Sequence, residues 1–434
     1  MKHTISAFNR AVFVSMLIGF AINPGPYTLA RHSGSKPVNT LPQTDMVLQW
    51  NANATDSIVG VAGLRPERGL IRLAMVHIAI FDAVDAISGY PFQPYAIHPN
   101  VISPASADAA TAAAAHTMLV ALFPSQQTDL DAKYAASLST ITDGPAKING
   151  IAVGQQTAVG LLDLRAADGR DDIVSYSPGS GPGAWLPTPP AFLAAAAPEA
   201  AHVRPFALNS PSQFRVEPPP ALTSDTWARD YNEVKTLGVA TGSTRTAEQT
   251  DIGRFWSDQP ILQWNRAWRN ISIAQGLSLE DNARFFAMLA TASADAIIAC
   301  WDSKFAYNFW RPVTAIRAGD TDGNPETEPD ANWIAQVVTP NHPEYPAAHG
   351  CFSGASTQTL KSFFGTDNLT FAIDSNVAGL TNSVRWYDSF SEALDEVRNA
   401  RVYGGMHYRN STQKGAILGK QVSQFVASHR FRRN

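Results

Sequence analysis

The stretch LEDNARFFAMLATASADAIIACWDSKFAYNFWRP occupies residues 279–312. From Leu279 to Phe309 it is the longest run of helical patterning in the chain. Near its end, Lys304 and Arg311 stand seven apart, two helical turns, so one helix would carry both on one face. Pro312 disfavours the α conformation at the residue before it, so the helix is expected to end at Arg311. The neighbours Trp301, Phe305, Phe309 and Trp310 are large and apolar. Two cations in such company need a partner anion.

Outward from this stretch the helical period continues. Residues 66–87 place Leu70, Leu73, Ala74, Val76, Ile80, Phe81 and Val84 on one broad apolar face, with His77 read as a core histidine. Residues 106–123, 126–142 and 150–167 read as further helices, as do 224–237 and 246–256. Residues 176–220 differ, holding 11 of the 29 prolines, and read as a long irregular connection that is functional or wraps between halves. No run alternates convincingly as strands do. The expected class is all-α: two four-helix-bundle-like halves joined by the Pro-rich connection, divided as 31–222 and 223–434, with the site in the second.

Composition bounds the function. The 434 residues are 45% hydrophobic, and the net charge of −4 gives no sign of a nucleic-acid or anionic-membrane partner. Lys2, His3 and Arg10 precede an apolar run over 11–22, and Thr28-Leu29-Ala30 offers a small-residue cleavage site. Residues 1–30 thus read as a signal peptide, which places the mature chain in a periplasmic or secreted compartment. No later run of 18 uninterrupted apolar residues suggests a membrane span in the mature chain. The two cysteines, Cys300 and Cys351, either pair or stay as buried thiols. Asp320-Thr-Asp-Gly-Asn324 resembles the start of a calcium loop, but Pro325 stands where an EF-hand needs glycine, so it reads as a surface turn.

Two further segments carry chemistry. In Asn341-His-Pro-Glu-Tyr-Pro-Ala-Ala-His-Gly350, a helix is expected to begin with Pro346 at its first position and to end at Gly365. The free N–H groups of Ala347 and Ala348 would form an anion site there, with His349 as acid or base. In Arg401-Val-Tyr-Gly-Gly-Met-His407, the glycine pair breaks the helix and lets Arg401 and His407 turn to one centre. Ser389 and Glu392 suit a capping box for the helix leading there. Each segment alone also fits ordinary helix ends. Together they supply three cations, two histidines and a helix N-terminus, the set that oxyanion chemistry uses.

The order K-x6-R-P, P-x-x-H and R-x5-H resembles the vanadium-dependent haloperoxidases and the related type-2 phosphatidic-acid phosphatases. The likeness extends over about residues 49–426. The resemblance implies a vanadium chloroperoxidase-like fold and a vanadate cofactor, with phosphate able to take the same site. It implies that Lys304, Arg311, Arg401 and the Ala348 N–H bind the oxygens, that His407 ligates vanadium and that His349 is the acid–base residue. Hydrogen peroxide, a halide and an organic acceptor would be the reactants. His342 and Trp301 fall where the family lines its halide pocket; His342 leans the expectation to bromide, although it also suits a plain loop before Pro343.

Two departures qualify the likeness. The family's Ser-Gly before the histidine is Ala347-Ala348 here, which removes a hydroxyl donor. One lost bond to a charged group costs about 1.5–3 kcal/mol. No acidic residue follows His407 closely, so a carboxylate that orients it must come from elsewhere, with Asp295 a candidate. A soluble acid phosphatase acting on phosphomonoesters, with His407 as nucleophile and His349 as general acid, is the alternative. A non-catalytic oxyanion-binding protein is the third reading.

Overall fold

Alanine, leucine and aromatic residues run through the helix from Leu279 to Tyr307 with hardly a break, and burial on every side is the consequence. The computed structural model describes residues 45–434. Residues 1–44, with the expected signal peptide, lie outside the described residues. The helices are α1 (Met46–Thr55), α2 (Pro66–Ile87), α3 (Ala107–Leu122), α4 (Gln127–Ser139), α5 (Pro145–Leu164), α6 (Asp225–Leu237), α7 (Ala247–Phe255), α8 (Pro260–Gln275), α9 (Leu279–Tyr307), α10 (Pro312–Arg317), α11 (Ala348–Phe364), α12 (Phe390–Tyr403) and α13 (Arg409–His429). α9 is long and apolar enough to cross a membrane, but 94% of its most apolar window is buried inside the fold, which makes it the core helix.

α2, α3 and α5 pack together with α1 and α4 alongside α3, while α9, α11, α12 and α13 form the second bundle. The α2–α9 contact joins the two, and Thr44–Asn434 is one compact unit. The mainly helical architecture expected from the sequence is observed. The sequence reading did not anticipate α1, α8 and α10, nor an antiparallel hairpin of β1 (Asn368–Asp374) and β2 (Val384–Ser389), whose alternating burial is weak and partly irregular.

Two helix crossings are closed by glycine. Gly150 and Gly154 of α5 meet the Ala-rich α3, where added Cβ atoms would lie 2.3 Å from Ser106 O and 2.2 Å from Ala110 O. α11 and α13 are seamed from both sides by Gly350, Gly354, Gly415 and Gly419; a Cβ at Gly419 would lie 2.0 Å from Cys351 O. Only hydrogen fits at such an approach. The second seam clamps the start of α11 against the start of α13, and these two starts carry His349 and His407.

The irregular connection has a structural task. Trp185 N donates to Asn308 O (2.8 Å), and Trp310 N donates to Gly183 O (2.9 Å). The connection thus holds the non-helical exit of α9. Further along, Ala196 N donates to Asn341 O (2.8 Å) and Trp301 Nε1 to Ala196 O (3.4 Å).

Candidate oxyanion site

α9 stops earlier than the proline implied. Asn308 adopts the left-handed conformation as its C-cap (φ 48°), four residues before Pro312. Arg311 is extended and is the N-cap of α10, with Pro312 at its first turn. The two cations therefore do not share a helix face. Their approach comes from the sharp turn after Tyr307.

Lys304, fully buried, donates from Nζ to Pro343 O (2.9 Å), Glu344 O (2.8 Å) and Pro346 O (2.5 Å). All three ammonium donors are thus used to shape the turn before α11. Burial first, then Arg311, pushes its amine down to about 8. Arg311, also fully buried, donates from Nε to His342 O (2.9 Å) and from Nη1 to Met406 O (3.0 Å). Nη1 also lies 3.1 Å from His407 Nε2, and Nη2 3.0 Å from His342 Nδ1. Burial pushes its guanidinium down to about 10, against the opposing pull of Glu344.

His407 Nδ1 is 2.7 Å from Glu344 Oε1, which also accepts from Tyr408 N (3.1 Å). A carboxylate can only accept, so the proton belongs on Nδ1 and the lone pair on Nε2, facing Arg311. Burial, then the Arg311 and Lys304 charges, hold the imidazole well below its usual range. Burial pushes the Glu344 carboxyl up to about 7 despite Lys304 and Arg311. Glu344 is the orienting carboxylate missed in the sequence. Asp295 is not: its oxygens accept from the N–H groups of Phe206, Ala207 and Leu208, far along the chain from the motifs.

The start of α11 also differs from expectation. Pro346 lies outside the helix, and Ala347 is its N-cap, without a side-chain cap bond. Ala347 N donates to Ser411 O (3.2 Å), so that N–H is not free for an anion. Ala348 and His349 occupy the first two helical positions, whose N–H groups have no intrahelical acceptor. His349 Nε2 is buried and unpartnered. Burial and then Arg401 hold its imidazole well below the usual range.

Arg401, at the end of α12, donates from Nη1 to Trp256 O (2.9 Å), while its buried Nε has no partner. Burial and then Arg311 push its guanidinium down to about 9. Ser389 caps α12 through Glu392 N (3.2 Å), but Glu392 reaches back to Asp388 N (2.8 Å), so the box is not reciprocal.

A cavity of about 120 Å³ lies among these groups. Ala348, His349, Arg401, His407, His342 and Trp301 line it, while Lys304 and Arg311 sit behind the wall. His342 is buried, with its ring centroid 4.9 Å from that of Trp301. α2 contributes Arg65, Pro66 and Glu67, a part of the wall that the motifs do not contain. Cys300 and Cys351 are buried free thiols in mutual contact, with Cys300 Sγ 3.7 Å from Pro346 O. His77 is a core residue, bonded to Asn51 Nδ2 (2.9 Å) and stacked on Phe286.

The unpartnered donor on Arg401, the free N–H groups of α11 and the unpartnered His349 Nε2 fit a small tetrahedral oxyanion. Among the described residues no group of His, Cys, Asp or Glu could cage a bare metal ion. The chemistry suits an anion whose central atom takes one imidazole nitrogen.

Residues 284–433 match the VCPO second helical-bundle domain. The chain is 24% identical over 271 residues to vanadium chloroperoxidase of Curvularia inaequalis, covering 47% of this chain and 44% of that protein, less than half the relative's length. The crystal structure of a bacterial vanadium-dependent iodoperoxidase superposes with a TM-score of 0.76 at 24% identity, over 92% of this chain and 98% of that one. A holo-type bacterial vanadium-dependent chloroperoxidase superposes with a TM-score of 0.69 at 17% identity, over 89% and 98%. Residues 284–433 therefore resemble the VCPO second helical-bundle domain, and the chain has the fold of the vanadium-dependent haloperoxidases.

Proposed function

We propose that this protein is a vanadate-dependent haloperoxidase that oxidises halide, bromide foremost, with hydrogen peroxide. The observation that carries the reading is the Glu344–His407 pair. It fixes a neutral imidazole whose Nε2 lone pair, beside Arg311 Nη1 at 3.1 Å, borders a cavity lined by a buried guanidinium and a helix N-terminus. Bound vanadate would supply a Lewis-acidic centre for peroxide, so that a halide and a proton yield hypohalous acid and water. The hypohalous acid would then halogenate an organic acceptor.

In this reading His407 Nε2 is the ligand to vanadium. Arg401 and the Ala348 N–H hold the oxygens, with Lys304 and Arg311 adding charge and donors from behind the wall as the anion competes with their carbonyl partners. His349 Nε2 holds or releases the proton that peroxide loading requires. Trp301 and His342 form the halide side of the cavity. The relatives' names include iodide and chloride, so iodide, bromide and chloride are all substrates to compare. The signal-peptide reading makes the protein exported, to the periplasm or outside the cell. Residues 31–222 would mainly support, and 223–434 carry most of the site.

A phosphomonoesterase is the second reading, favoured by the same lone pair on His407, in the role of nucleophile, and by the place of His349 in the same cavity wall as the acid. Peroxide-dependent bromination of a phenolic dye, with and without orthovanadate, tests the proposal. Hydrolysis of an aryl phosphate, blocked by vanadate and without any bromination, would transfer the protein to the phosphatase branch.

A further inference from the structure

Among the described residues, Glu67 is the one carboxyl in the wall of the oxyanion cavity. It sits in the first turn of α2 and is 2% exposed. Its Oε1 is buried and paired by charge with Arg65 Nε at 3.0 Å, but it accepts no hydrogen bond and so keeps an open acceptor position. Arg68, which also attracts Glu67, is itself engaged by Glu199 at 2.6 Å. Across the cavity the facing groups are Arg401 on α12, His349 on α11, and His342 and His407 on their loops. Burial raises the Glu67 carboxyl, while Arg65, a bond from its own backbone N–H and Arg68 pull it down, and Glu199 adds to the rise.

A carboxylate in a pocket for anions is a liability unless the anion brings a proton. At this carboxylate an aprotic anion meets repulsion, although Arg401 and the α11 N–H groups attract it. An oxyanion with an O–H group can donate to the idle oxygen and satisfy it. We propose that Glu67 is a specificity residue that selects oxyanions carrying a proton, such as hydrogenphosphate or protonated vanadate, over aprotic ones such as sulfate. The inference rests on the oxyanion reading above, and concerns which anions the site accepts rather than the reaction it runs. It also places a selecting group on the supporting bundle, in a segment outside the three motifs.

Calorimetric titration of the full chain with inorganic phosphate and with sulfate, near pH 8, tests it. The unaltered chain should prefer phosphate, and Glu67→Gln should lower the phosphate-to-sulfate affinity ratio by roughly 10- to 100-fold, mainly by admitting sulfate. Asp143→Asn, an exposed carboxylate just before α5 and off the cavity wall, should leave the ratio unchanged. Should the Gln chain not fold, Glu67→Asp, which withdraws the carboxylate by one methylene, should lower the ratio in the same direction. Equal affinity for both anions in the unaltered chain, or an unchanged ratio in the Glu67 variants, overturns the proposal and leaves the oxyanion site standing. No binding of phosphate, vanadate or sulfate overturns both.

Discussion

The two glycine-closed crossings share a geometry and differ in what they enclose. At α3–α5 the buried residues are alanines, glycines and larger apolar residues, with Thr111 and Thr157 as the polar exceptions. At α11–α13 the same closeness sets two helix starts beside three buried cations and three histidines. The first crossing spends its close approach on packing. The second uses it to hold charged groups away from water, and Lys304, Arg401 and His407 show the cost as a lowered proton affinity.

The largest expected effect breaks this pair of crossings apart. Gly419→Ala forces a Cβ onto Cys351 O, and Gly154→Ala forces one onto Ala110 O. Each should lower unfolding free energy by about 1–3 kcal/mol or more in urea titrations. Only Gly419→Ala should also weaken phosphate binding in the folded protein, because only that seam carries the site. Equal phosphate affinity in both variants would show that the two crossings are interchangeable scaffolding.

Next in size is Glu344→Gln. The amide no longer demands a proton on Nδ1, so the His407 tautomer is released. Loss of such an orienting partner typically costs 10–100-fold in affinity or activity. Nitrogen-15 NMR of the imidazole should show a mixed tautomer population in the variant and a single one in the native chain; the same single tautomer in both would refute the orienting role.

The pH response sharpens the contrast further. His342, His349 and His407 are all held well below the usual imidazole range by burial. A base depressed on folding binds fewer protons folded than unfolded, so its stability contribution is present above the unfolded value and lost as pH falls. Thermal stability without added anion should therefore decline as pH drops below about 6.5. Phosphate at 100 times its dissociation constant should restore about 2.7 kcal/mol. Differential scanning calorimetry across this range, with a flat profile as the contrary result, decides it.

The smallest change is Ala347→Ser. The N-cap of α11 has no side-chain bond, and a serine there should add about 1 kcal/mol of stability. Its hydroxyl should also tighten phosphate binding if it turns toward the cavity. A serine that only stabilises would separate capping from anion binding.

The sequence carried the helices because a 3.6-residue period repeats over many turns, and the three motifs because their residue types are rare in apolar surroundings. What it hid depended on long-range partners. Glu344 stands five residues before His349, yet its role appears only when the chain brings His407 to it. Glu67 belongs to a helix whose pattern announces only a core face. The left-handed Asn308 ended α9 before Pro312 could, and no proline or glycine marked it. The hairpin escaped because its strands are short and half exposed.

The most direct test of the central claim is bromination of a phenolic dye by the purified chain in hydrogen peroxide, with and without orthovanadate, beside His407→Ala. The account predicts bromination only with vanadate, and at least 1000-fold less in the variant, roughly 4 kcal/mol of lost transition-state stabilisation. Bromination that ignores vanadate, or that survives unchanged in His407→Ala, would contradict it.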